Sequence, residues 1–186
     1  MNITDIQHSV CEGVPIEYSA HCLKRMLERD ISTTDINNCI FHGEIIEEYP
    51  LKDGNFSDKS LPSCLILGNK KDSDQKYTLL SGITERKYLL FLRVFQSPKS
   101  GVKIIKPGGS HMCNTCFSDS KIKTKTAFTV EYNDCLIIVK NVPCLECPVC
   151  GEITFEDTVS KRLEELVNKA KKFMQEISII DYNRAA

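Results

Sequence analysis

Residues 113–116 read CNTC and residues 147–150 read CPVC. Thiolates are soft ligands, and two Cys-x-x-Cys turns carried by a chain that folds back on itself can set four sulfurs tetrahedrally around one zinc ion. The intervening runs KIKTKTAFTVEYN and CLIIVKNVP are rich in β-formers on either side of Asn133-Asp134, which predicts a hairpin with one cysteine pair at each end. The spacing therefore predicts that Cys113, Cys116, Cys147 and Cys150 hold one zinc. Four thiolates close the coordination sphere and leave no position for an activated water, so the ion's role is structural. A redox pair or two disulfides are the rival readings, but two pairs flanking a hairpin, the second followed by Gly151-Glu152, favour metal. Cys144 lies three residues before Cys147 and is a competing ligand in principle, while Cys135 falls within the hairpin. Cys11, Cys22, Cys39 and Cys64 read as ordinary buried thiols, since free cysteine behaves as a small hydrophobe.

Downstream, DTVSKRLEELVNKAKKFMQEI predicts a long amphipathic helix with Asp157 as cap and Val159, Leu163, Leu166, Ala170, Phe173 and Ile177 in one stripe. Upstream, PGGSH (residues 107–111) has turn formers and no periodicity, which marks a linker. Gly-Ser-His-Met (109–112) has the form of a scar left when a cleavable tag precedes a start methionine, against the alternative of a natural glycine-rich linker. On that reading 108–111 is an engineered linker, Met112 was the first residue of a second protein, and His111 is not a functional histidine. The chain then divides into 1–107, 108–111 and 112–186.

Within 1–107, Ser19 precedes AHCLKRMLERD, where Cys22, Leu23, Met26 and Leu27 recur at helical spacing. Ser32 with Asp35 predicts a capping box for a second helix ending near His42-Gly43. EIIEEY, SCLILG, KYTLLSGI and KYLLFLRVF then read as strands. Helices followed by paired strands give an α+β fold, with N-terminal helices packed on a small antiparallel sheet, then a zinc-bound hairpin lobe and a long C-terminal helix.

Composition narrows the function classes. The net charge is −1, with 14 basic against 14 acidic residues in 1–107 and 10 against 11 in 112–186, so nucleic-acid contact must come from a local patch. No apolar run is long enough to span a membrane and the N-terminus lacks a secretory pattern, so the expected location is cytoplasmic, where ten cysteines point to metal or free thiols. On the first helix His21, Arg25 and Arg29 are spaced by four and form a polar stripe able to grip phosphate; a solvated helix face is the plain alternative. His8 and His42 read as surface residues.

MCNTC, VKNVPCLECPVCGE and the helix containing KRLEELVNKAKK resemble the YgiT-type zinc finger of MqsA-like antitoxins over residues 112 to about 182. The resemblance implies toxin binding. The helix-turn-helix domain with which MqsA binds operator DNA has no counterpart here, so operator binding is not implied. HCLKRMLERDIS, the short helix after it, and PSCLILG with the later strands resemble RelE-superfamily toxins related to BrnT and MqsR. That resemblance implies a metal-independent endoribonuclease that cuts mRNA, often on the ribosome, through attack by the ribose 2′-hydroxyl. It implies His21 for proton transfer and Arg25, Arg29, Lys87 and Arg93 for phosphate; Lys87 and Arg93 fall on one predicted strand face, and Tyr77 and Tyr88 are candidates for base stacking.

The sequence thus reads as a type II toxin–antitoxin pair in one chain, with no membrane partner, its halves bound to each other and mRNA the substrate of the first. Inhibition is expected through covering the basic stripe or adding a strand to the toxin sheet, and a short linker also permits a domain-swapped homodimer. The competing class is a non-enzymatic zinc-ribbon protein that recognises a protein or nucleic acid.

Overall fold

The structure is a computed structural model that describes residues 3–13, 16–49, 63–69, 76–82, 93–95, 113, 116, 118 and 120–184. The chain opens with α1 (Ile3–Cys11) and a short strand β1 (Glu17–Ser19), then α2 (Ala20–Glu28) and α3 (Thr33–His42). Strands β2 (Glu44–Tyr49), β3 (Ser63–Asn69), β4 (Lys76–Gly82) and β5 (Arg93–Phe95) form an antiparallel sheet in that order. The C-terminal part contains β6 (Ile122–Tyr132), β7 (Cys135–Glu146), β8 (Ile153–Glu156), α4 (Asp157–Lys171) and β9 (Ile177–Asp181). The fold is α+β, and no helix among the described residues is long and apolar enough to cross a membrane.

The helix starts follow from their caps. Ser19 Oγ accepts from the Cys22 N–H at 3.1 Å. Ser32 and Asp35 form a reciprocal box, with Asp35 N–H donating to Ser32 Oγ at 3.0 Å and Ser32 N–H to Asp35 Oδ2 at 2.8 Å. The α2–α3 connection is a Schellman-type turn in which Ile31 N–H donates to Met26 O at 2.9 Å while Asp30 takes φ 53°, a left-handed conformation usually given to glycine. The predicted hairpin forms β6 and β7, joined at Asn133 and Asp134, both with positive φ.

Several elements lie outside the sequence expectations. α1, β1, β8 and β9 were not foreseen, and the last helix is shorter than its apolar stripe. α4 ends at Lys171, so Phe173 is exposed and Ile177 lies in β9, also exposed, instead of completing a buried stripe. The chain reverses through Met174 (φ 49°) and runs parallel to β7, pairing Leu136 with Ile177 through Lys140 with Asp181. The run Ile-Ser-Ile-Ile suits a strand better than a helix end, because β-branched side chains pack well on a pleated surface. Nor is Asp157 the cap: Glu156 takes that position without a side-chain bond, and Asp157 pairs instead with Lys161 at 2.6 Å.

The second sheet runs β1-β8-β7-β6, with β9 also on β7. Its outermost strand comes from the N-terminal segment: β1 pairs antiparallel with β8, placing Tyr18 opposite Phe155. Both side chains are fully buried, and Phe155 meets Phe128 edge-on at 5.4 Å between ring centroids. One apolar core therefore takes Ile6, Tyr18, Leu23, Met26 and Ile36 from before the predicted linker and Phe128, Val130, Ile137, Leu163 and Val167 from after it. The linker itself, 108–111, lies outside the described residues.

Candidate functional site

The cysteine turns meet as the spacing predicts. The Sγ atoms of Cys113, Cys116, Cys147 and Cys150 all lie within 4.8 Å of one another. Two contacts run between the turns, Cys113 to Cys150 and Cys116 to Cys147, each at 3.4 Å. Tetrahedral zinc with ordinary Zn–S bonds needs sulfurs about 3.8 Å apart, which falls inside this spread. Local backbone shapes each turn: Cys113 N–H donates to Ser118 O at 2.8 Å, Cys147 N–H to Glu152 O at 2.9 Å, and Gly151 N–H to Cys147 O at 2.9 Å with Gly151 at φ 71°. Val149 N–H approaches Cys147 Sγ at 3.4 Å.

The thiols are unequal. Burial acts to raise Cys147, yet the backbone N–H groups of Cys150 and Val149 and the sulfurs of Cys116 and Cys113 outweigh it and hold this thiol down at about 6. Burial, with its three sulfur neighbours, pushes Cys150 up to about 12. The donor set of four sulfurs fits a soft divalent cation that takes the place of thiol protons. Cys144 stays outside the cluster, buried on β7 with its thiol pushed up by burial and by Glu146. Cys22, Cys39 and Cys64 are buried as expected, but Cys11 is exposed at the end of α1.

His21 and Arg25 sit together on the exposed face of α2, and Arg25 pairs with Glu28 at 3.2 Å. Arg29, directly after the helix, is turned partly inward; its Nη1 is buried and has no hydrogen-bond partner among the described residues. Strand β5, which carries Arg93, runs beside α2. Lys87 and Tyr88 lie outside the described residues, as do the side chains of Arg93 and Tyr77. His8 is exposed and faces Glu12 at 3.5 Å, and His42 is exposed at the end of α3.

The C-terminal segment leaves His21 and Arg25 open and buries the opposite, apolar face of α2: Cys22, Leu23, Met26 and Leu27. Burying a cationic face would cost desolvation that burying this one avoids. Across the segments, the N-terminal part lends β1 to the C-terminal sheet.

Residues that no motif announced hold the two segments together. Lys121 Nζ meets Glu17 Oε2 at 2.7 Å with both side chains buried, and reaches Thr154 Oγ1 at 3.3 Å. Glu164 accepts from both Thr33 N–H and Thr33 Oγ1 at 2.9 Å. Lys171 Nζ donates to Leu27 O at 2.6 Å and to Asp30 Oδ1 at 2.5 Å, and lies 3.9 Å from the centre of the Tyr132 ring. Tyr132 OH donates to Asp30 Oδ2 at 2.9 Å. These partners are too distant in sequence for periodicity or spacing to link them.

Among known families, the model described as "Domain of unknown function (DUF4258)" matches residues 18–89. That stretch holds α2, α3 and strands β2 to β4, and leaves out the cysteine cluster. No curated protein and no solved structure matches the chain.

Proposed function

We propose that the chain is a toxin–antitoxin pair in which residues 1–107 form an mRNA-cleaving ribonuclease and residues 112–186 form its zinc-shaped neutraliser. The observation that carries this reading is the union of the two segments: β1 completes the sheet of the cysteine-bearing part and a single core draws on both, as in an inhibitor bound to its target. In the N-terminal part, His21 is the proton-transfer group, and Arg25, Arg29, Lys87 and Arg93 stabilise charge on the phosphate as the 2′-hydroxyl attacks. The zinc would be held by Cys113, Cys116, Cys147 and Cys150; it fixes the two turns against each other and takes no part in the cleavage. The non-enzymatic alternative draws support from His21, for which no acid or base partner is seen among the described residues.

The test is RNA cleavage by the separate parts. Residues 1–107 should cut a messenger transcript in the presence of chelator and leave 2′,3′-cyclic phosphate ends, the added 112–186 part should suppress it, and His21→Ala should lower the rate by roughly 10²-fold or more. No cleavage by 1–107, in vitro or on ribosomes, would return the reading to a binding module.

A further inference from the structure

We infer that the C-terminal segment restrains the N-terminal one by clamping the α2–α3 elbow and withholding Arg29, leaving the rest of the stripe uncovered. The restraint stands on contacts alone; what Arg29 does once released rests on the ribonuclease reading above.

Two residues of α4, seven apart and hence about two turns along one face, grip the elbow at both ends. Lys171 reaches the closing carbonyls of α2 through Leu27 O, and takes the Asp30 carboxylate beside it. Glu164 takes the first N–H of α3 and the hydroxyl of the same residue, Thr33. Each charge matches the helix end it meets: a cation where unpaired carbonyls gather at the end of α2, an anion where unpaired N–H groups open α3. Tyr132 adds a third grip, donating to Asp30 while its ring lies under Lys171.

The elbow's own turn and cap bonds are therefore braced from outside. Asp30 holds a left-handed backbone at φ 53° where glycine would be at ease, and its carboxylate is committed to partners on α4 and β6. Between Asp30 and the end of α2 sits Arg29, with one guanidinium nitrogen buried and no acceptor for it among the described residues. A buried cationic donor without a partner is unfavourable and persists only where its surroundings over-determine it. Once the elbow is loosened, Arg29 gains by turning outward toward solvent or an anion, on the side where His21 and Arg25 already stand.

The experiment uses the full chain loaded with zinc. Lys171→Met, Glu164→Gln and their combination remove the two charges while keeping most of the packing, Asp30→Asn weakens the clamp from the other side, and Lys161→Met on the outer face of α4 is the control. Hydrogen exchange of amides 29–33 and modification of Arg29 by phenylglyoxal, read by peptide mass spectrometry, should both accelerate roughly tenfold in the double variant and less in each single one. A fluorescein-labelled oligouridine should bind roughly tenfold tighter to the double variant, with the gain abolished by Arg29→Ala. Unchanged exchange and unchanged Arg29 reactivity, in the double variant or, should that fail to fold, in Asp30→Asn, would overturn the inference. Faster Arg29 modification without tighter oligouridine binding would leave the clamp standing and count against the ribonuclease reading of the stripe.

Discussion

In the cysteine turns the shaping hydrogen bonds stay within five residues, Cys113 to Ser118 and Cys147 to Glu152, and only the four sulfurs reach across to one another. At the α2–α3 elbow the external grips come from more than 100 residues away, from Tyr132, Glu164 and Lys171. The first region carries its conformation in short sequence, and its halves meet at four sulfurs that could hold a metal ion. The second has local turn and cap bonds of its own and is braced by a docked partner. Loss of the ion should therefore unmake one lobe, whereas loss of a single grip should loosen the elbow and leave the lobe intact.

The largest effect should follow from removing the ion. Structural zinc in small lobes contributes on the order of 10 kcal/mol of apparent binding energy that doubles as folding energy, so native mass spectrometry should find one zinc per chain in the parent and none in Cys147→Ser with Cys150→Ser, whose turns should be disordered in NMR spectra. A next step down is the buried pair across the segments: Glu17→Gln or Lys121→Met alone should cost about 3–5 kcal/mol in denaturant unfolding, while the joint change to Leu and Met should recover most of it. That recovery would show the pair to be a device of specificity more than of stability.

Helix α3 and strand β3 touch so closely at Gly68 that an added Cβ would run into Cys39 Sγ and lie 2.7 Å from its Cβ. Gly68→Ala should cost about 1–3 kcal/mol by overpacking, without change in zinc content. The smallest effect should come from Tyr18→Phe. The buried Tyr18 hydroxyl lies beside the Asp157 carboxylate, so its loss should cost about 1 kcal/mol, although the ring beneath it joins the two segments.

The same contrast explains what could be read from the sequence. The cysteine cluster, the Ser19 and Ser32 caps and the turn at Asn133-Asp134 are short-range patterns whose chemistry is complete within a few residues, and they appear where expected. β1 was missed because Glu17-Tyr18-Ser19 is too short to show periodicity and becomes a strand only by pairing with β8. Phe173 and Ile177 were assigned to a helix stripe because their spacing continues that of α4; the choice of strand for 177–181 depends on an open flank of β7 that only the folded sheet supplies. For Arg29, helical spacing alone gives no sign that the residue falls at the helix end and is half-buried there.

The central claim, that a zinc-shaped C-terminal part neutralises an N-terminal toxin, is tested most directly by growth of cells expressing residues 1–107 together with 112–186, either unchanged or carrying Cys147→Ser and Cys150→Ser. The account predicts arrest with 1–107 alone, rescue by the unchanged partner, and return of arrest with the cysteine variant. Normal growth with 1–107 alone at confirmed expression, or rescue that persists without the cysteines, would contradict it.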